Sequence, residues 1–313
     1  MKTIERRIAD EQNVRENQII AAVKLLDEGA TVPFISRYRK EVTGGLTDEH
    51  LRYVQERLAY LRELEDRRAK VVEAIREQGK LTAELERELL EAETAARLED
   101  LYLPYKPKRG TKAMIAREAG LEPLALELLA DPRLDPERAA EPYVNAEKGV
   151  EDASAALDGA QYILIDTFGE DAELVGKLRD ALWEKGLLNS AVAKGKEAEG
   201  AKFSDYFAYV EPLRKIPSHR ALAVFRGEKE EVLKLSISHE LDDQAFDGWD
   251  SYCEYIIARR FNVKKVGRAA DAWLCETVHL SWQKKIKPHL ETDLTNRLRE
   301  FAHEEAIKVF SKN

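Results

Sequence analysis

TVPFISRYRKEVTGGL, residues Thr31 to Leu46, fits neither a plain packed helix nor a plain solvated one. Thr31 suits a helix N-cap, and Pro33 suits the first turn, where a missing N–H costs little. Phe34, Ile35 and Tyr38 fall at helical spacing as an apolar patch, while Arg37, Arg39 and Lys40 point elsewhere on the same short helix. Gly44 and Gly45 end it, and Thr47 stands where it can cap the next helix. A short basic helix, a glycine turn and a long helix make a helix-turn-helix-like unit. The plainer alternative is that the arginines only solvate a short packing helix. Pattern alone favours that alternative, because a few arginines do not specify the geometry.

Downstream, Asp48 to Gln78 reads as one long strut helix. Leu51, Val54, Leu58 and Leu61 keep the spacing of a packing stripe, Glu65 and Arg68 interrupt it, and Val72 and Ile75 resume it. The expectation is a helix buried at both ends and exposed in its middle, with balanced charges on a solvated face. Upstream, Ile4 to Glu11 and Glu16 to Glu28 read as helices, the second stopped by Gly29.

Beyond Gly79, Thr82 and Thr94 cap two short helices. A second distinctive stretch follows, LYLPYKPKRGTKAMIAREAG, residues 101 to 120. Pro104 and Pro107 are expected to keep it extended. Lys106, Lys108, Arg109, Lys112 and Arg117 are opposed locally only by Glu118, and Tyr102 and Tyr105 sit beside them. Basic side chains interleaved with aromatics suit a phosphate backbone with stacked bases, and equally suit a plain domain connector.

The remainder is mostly helical. Val150 to Phe168 and Asp171 to Lys185 carry helical stripes, and Phe203, Phe207 and Val210 mark a further short helix. Ser218 caps a helix through Phe225, with Gly227 as its stop. Val232 to Ser238 alternates, placing Leu233, Leu235 and Ile237 on one face of a strand. Leu188 to Val192 is its candidate partner; a hairpin across Gly227 is the alternative. Arg214, Lys215, His219, Arg220 and Arg226 make this neighbourhood basic. Helices then run from Ala269 to Ile286 and from Leu290 to Phe310, separated by Pro288. Phe301, Ala306, Ile307, Val309 and Phe310 form an apolar stripe almost to Asn313, which suggests a chain cut from something longer.

The chain has 313 residues, with 50 Lys and Arg against 59 Asp and Glu, a formal net charge of −9. Any nucleic-acid surface must therefore be a local patch. Two cysteines, no signal peptide and no apolar run of spanning length fit a reducing, cytoplasmic setting and no membrane partner. Gly195 to Lys202 mimics a phosphate loop but has Ala201 where the lysine belongs. His303-Glu304 lacks a second histidine, because Ile307 takes its place. Asp243, Asp247, Gly248 and Glu254 fall at calcium-loop positions, but Ala245 occupies a ligand position, so an acidic linker is expected. Cys253 and Cys275 read as core residues. No catalytic constellation, metal site or cofactor is expected.

Four blocks carry a resemblance: TVPFISRYRKEVTGGL, LEDLYLPYKPKRGTKAMIAREAGLEPLA, GKEAEGAKFSDYF and KIPSHRALAVFRG, in order from Thr31 to Gly227. Together they resemble the bacterial transcription accessory protein family, Tex. The resemblance implies a cytoplasmic, non-enzymatic protein associated with nucleic acid and transcription, and a helix-turn-helix-like unit in this half. It also implies downstream RNase H-like, helix-hairpin-helix and OB-type RNA-binding domains, all absent from this chain.

The expected fold is mainly α and multi-helical, with the strut, the helix-turn-helix-like unit and at most a small β element. Residues 1–104 are expected to form an N-terminal helical region and 105–313 a central one. The expected function is a non-catalytic scaffold that binds RNA or DNA weakly, without reading sequence. Its phosphate contacts are expected at Arg37, Arg39, Lys40, Lys106, Lys108, Arg109, Lys112, Lys215 and Arg220. The alternative is a docking scaffold for the transcription machinery or for the missing domains, with no nucleic-acid binding of its own.

Overall fold

A computed structural model describes residues 2–107, 110–244 and 246–311, the side chains of 303–304 and 306–311 excepted. The fold is mainly α, with one small sheet among the described residues. Two compact units are present, 1–102 with 305–313, and 103–304.

The first unit holds α1 (Ile4–Gln12), α2 (Glu16–Asp27), α3 (Val32–Tyr38), α4 (Asp48–Glu77), α5 (Ala83–Glu91) and α6 (Ala95–Tyr102). Local chemistry sets the ends of α4. Thr47 accepts from the His50 N–H at 3.2 Å while His50 Nδ1 accepts from the Thr47 N–H, a reciprocal cap. Gly79, at φ +67°, ends it.

The stripe of α4 differs from expectation. Leu64 and Val71 are buried with Leu51, Val54, Leu58, Leu61 and Ile75, and Arg68 is buried among them. A three-residue step from Leu61 to Leu64 keeps the stripe turned inward, so the middle of the strut is covered. Arg68 tolerates burial because its guanidinium donates to the Leu89 and Ala92 carbonyls, the second at 2.8 Å. Those carbonyls end α5 and have no partner within that helix. The outer face of α4 is not simply solvated either. Arg57 grips Glu11 at 2.9 Å, Arg62 grips Asp27 at 2.7 Å, and Arg67 grips Glu99 at 2.5 Å.

The second unit holds α7 (Lys112–Glu118), α8 (Glu122–Ala130), α9 (Pro136–Ala140), α10 (Ala153–Gly169) and α11 (Ala172–Lys185). They are followed by β1 (Gly186–Val192), β2 (Ala208–Pro212), α12 (Ser218–Lys229), β3 (Leu233–His239) and α13 (Tyr252–Arg260). Last come α14 (Asp271–Ser281), a π-helical turn (Trp282–Ile286) and α15 (Lys287–Ser311), whose residues from 305 onward count with the first unit. Helix α10 lies at the centre. It buries Ala156, Ala160, Ile163, Leu164 and Phe168, each large side chain contributing about 1.5–3 kcal/mol of transfer free energy. A Cβ at Gly159 would stand 2.3 Å from Leu121 Cδ1, so the glycine is what lets Leu121 pack against α10.

A charged cluster gathers around the buried carboxylate of Asp166. Asp166 takes Arg117 at 2.8 Å and also Lys285, which reaches Glu170 at 3.3 Å. The Lys285 stem lies directly over Gly169.

The antiparallel sheet has the order β2-β1-β3. β1 pairs with β3, Leu188 opposite Ile237, so Leu188 to Val192 does partner the alternating strand and no hairpin crosses Gly227. Asn189 stands opposite Val210 on β2. Val210 is therefore strand, not helix; the helical spacing with Phe203 and Phe207 is a coincidence of a 3₁₀ turn, Ala201–Tyr206, running into β2. Gly227 does not stop α12, which runs on to Lys229. Its missing Cβ makes room for Leu233, whose Cδ1 would be 2.5 Å away. At the margin of β3, the Ile237 amide donates to Glu291 Oε1 at 2.9 Å and the His239 amide to Asp242 Oδ2 at 2.7 Å.

Pro288 does not separate two helices. The π turn before it bonds the Lys287 amide to the Trp282 carbonyl, and this widened turn takes up the residue that cannot donate. The seam that follows is Leu290, Leu294, Leu298 and Ala302, while Phe301 of the expected stripe is exposed. The side chains of Ala306, Ile307, Val309 and Phe310 lie outside the described ones.

Candidate nucleic-acid interface

In the first unit, α3 is anchored by Val32 and Ile35, both buried, and the turn after it is held from α2. Gln18 Nε2 donates to the Gly44 carbonyl at 2.9 Å and the Thr43 carbonyl at 3.4 Å. Gly44 and Gly45 adopt φ of +63° and +89°, open to glycine without strain. With the inner face spent on Val32 and Ile35, the rest of the helix faces water. Arg37, Arg39 and Lys40 are all exposed. None forms an ion pair among the described residues, in contrast to the arginines of α4.

The expected apolar patch divides. Ile35 packs inward, whereas Phe34 is 41% and Tyr38 56% exposed. Their ring centroids are 5.4 Å apart, and the Arg39 guanidinium lies 5.4 Å from the Phe34 centroid. Arg39 also donates to the Tyr38 carbonyl at 3.0 Å. The helix itself ends at Tyr38, with Arg39 as its C-cap, so Arg39 and Lys40 stand in the turn that follows; of the three cations, Arg39 is the one set against a ring.

In the second unit, Lys106 and Lys112 are exposed, and Lys108 and Arg109 lie outside the described residues. Pro104 sits in a 3₁₀ turn, Leu103–Tyr105, and not in extended chain. Of the two aromatics expected here, Tyr105 is half-buried and Tyr102 is buried. Tyr102, which ends the first unit's α6, is 7% exposed under the Arg67 guanidinium; burial takes its ring away from any stacked base. Lys112 has instead a partner that its own neighbourhood in sequence does not reveal. Its ammonium donates to the Tyr162 hydroxyl of α10 at 3.0 Å, a bond that raises the lysine pKa. The signal was there in part, since Tyr162 falls off the inward stripe of α10.

Lys215 and Arg220 are exposed beside β2. A hydrogen bond from Arg220 to Tyr209 raises the guanidinium pKa, while burial pushes the Tyr209 hydroxyl up.

One group of metal-type donors exists among the described residues: Asp250, Glu254 and His279, whose ligand atoms lie within 4.8 Å of one another. The separation of 25 positions between Glu254 and His279 hides it from spacing arguments. Glu254 Oε1 meets His279 Nδ1 at 2.9 Å, hydrogen-bond contact, so the buried carboxylate already has a partner. The nearby acidic loop is tied by Asp242, which accepts from the His239 and Tyr252 amides at 2.7 and 2.9 Å. Cys253 is buried and Cys275 partly so, and burial raises both thiols.

Comparison with known proteins gives the framework for these patches. Residues 2–76 match the Tex-like protein N-terminal domain, and residues 131–310 match the Tex central region-like family. The chain is 54% identical over 310 residues to Protein YhgF of Escherichia coli, covering 98% of this chain and 40% of that protein. It is 52% identical over 310 residues to the transcriptional accessory protein Tex of Neisseria gonorrhoeae, 99% of this chain and 40% of the relative. It is 29% identical over 302 residues to the human S1 RNA-binding domain-containing protein 1, 93% of this chain and 29% of that protein. The chain thus spans about two fifths of the length of its bacterial relatives. With a family match over more than half its residues, this chain belongs to the Tex family.

Proposed function

We propose that this chain is a non-catalytic scaffold of a transcription accessory protein and that α3 presents a phosphate-binding surface that does not read sequence. The observation that carries this reading is the set Arg37, Arg39 and Lys40. These residues are exposed and free of carboxylate partners among the described residues, in a chain of net charge −9. Cations left unneutralised in an acidic protein suit an anionic partner outside it. The helix-turn-helix-like pair α3 and α4 serves as the mount. Roles divide between residues 1–104, which carry this cluster, and 105–313, which carry Lys106, Lys108, Arg109, Lys112, Lys215 and Arg220 as auxiliary contacts. The names of relatives, a transcriptional accessory protein and an S1 RNA-binding domain-containing protein, support nucleic acid and the transcription machinery as partners, and a cytoplasmic setting is proposed with them. Among the described residues, no helix is long and apolar enough to cross a membrane.

The test is a titration of the purified chain against labelled single-stranded RNA and duplex DNA at low and physiological salt. Binding should weaken steeply with salt, and the combined Arg37→Ala, Arg39→Ala and Lys40→Ala variant should lower both affinity and salt slope. Neutralising Lys106, Lys108 and Arg109 together should reduce binding further. Absence of binding at low salt would leave the second reading, a docking scaffold for acidic protein surfaces. The exposed Phe34, Tyr38 and Val42 favour that alternative.

A further inference from the structure

We propose that α3 is a single-strand site, in which a base stacks on the Tyr38 ring while Arg37, Arg39 and Lys40 hold the adjoining phosphates. This rests on the phosphate-binding reading above and adds the class of nucleic acid to it.

Tyr38 is the most exposed aromatic ring among the described residues, at 56%. Phe34 is less open, because Tyr38 lies 5.4 Å away and the Arg39 guanidinium is set over its ring at the same distance. Phe34 therefore braces and Tyr38 offers its face. The backbone that carries the ring is anchored: Val32 and Ile35 are buried, and Arg39 bonds the Tyr38 carbonyl. A backbone fixed before binding loses little entropy when a base arrives.

Charge selects the occupant. The three cations lie within two positions of Tyr38, on either side of it, and form no ion pair among the described residues. Any nucleic acid supplies phosphates for them. A duplex keeps its base faces stacked inside, so only an unpaired strand can use the ring as well.

The experiment uses the 313-residue chain, a short fluorescein-labelled oligouridylate and a duplex DNA of equal length. Tyr38→Ala should weaken oligouridylate binding by roughly tenfold or more, leave duplex binding unchanged and keep the salt slope. Tyr38→Phe should restore single-strand affinity. Thermal melts of these variants should match the parent chain, since the ring is exposed. Equal oligouridylate affinity for Tyr38→Ala and the parent, with loss in the Arg37, Arg39 and Lys40 triple variant, overturns the stacking and leaves phosphate binding in place. An unaffected triple variant, or no binding by the parent chain at low salt, overturns both.

Discussion

Arg68 reaches across from α4 to the end of α5 and donates to the Ala92 carbonyl at 2.8 Å. Its other nitrogen serves the Leu89 carbonyl, and Glu65 balances its charge at 3.3 Å. Arg68→Met keeps the aliphatic volume but leaves two covered carbonyls without donors. The cost should be about 2–4 kcal/mol. Arg68→Lys should recover only part, since one ammonium cannot reproduce the planar fork. Amide hydrogen exchange should show the loss first in α5.

Two adjacent glycines separate backbone strain from contact. Gly44 and Gly45 both have positive φ, but a Cβ at Gly44 would stand 3.1 Å from the Gln18 side chain, whereas nothing lies within 4 Å at Gly45. Gly45→Ala should cost about 1 kcal/mol from conformation alone. Gly44→Ala should cost more, because Gln18 must also release the turn. Chemical denaturation of the two variants gives the comparison, and Gly44→Ala alone should weaken nucleic-acid binding.

Asp166 neutralises two cations at once, Arg117 and Lys285, from a largely covered position. Asp166→Asn keeps the shape and removes the charge, leaving Lys285 with Glu170 and Arg117 with Glu122. A loss of about 3 kcal/mol is expected in urea unfolding of the second unit.

Glu254 makes stability depend on pH. Burial holds its carboxyl above the ordinary 4.5, with Asp250 adding to the effect and His279 and Lys265 opposing it. The folded state then binds the proton more tightly than the unfolded one. That contribution is fully present below 4.5 and is lost as pH rises through the raised folded value. Glu254→Gln removes the titration. Its melting temperature relative to the parent should therefore climb from mildly acidic to neutral pH and then level off. A constant difference across that range would count against the assignment.

Much of the helical layout was legible because caps and stops are local: Thr47, Thr82, Gly29 and Gly79 act where they stand in sequence. The strand from Leu233 was legible from its alternation. What misled were residues whose role is decided by distant neighbours. Arg68 reads as solvated until the carbonyls of α5 arrive, and Gly227 reads as a stop until Leu233 fills its space. Val210 keeps helical spacing yet is claimed by β1. At the proposed surface, the sequence singles out the cations at the end of α3, while the exposure of the aromatics differs from what their spacing suggests. Tyr102 is covered by packing, and Tyr38 is left open because Val32 and Ile35 use up the inner face of a seven-residue helix.

The small sheet also bears on how this chain behaves in a crowd. Free strand margins invite strands from other molecules. Here Glu291 and Asp242 occupy amides of β3, and β2 closes on Pro212, which has no N–H to offer. An intruding strand would have to expel two carboxylates on one side and meet a blunt end on the other. Both margins are thereby partly blocked, so strand addition at this sheet should be less favourable than at a bare edge.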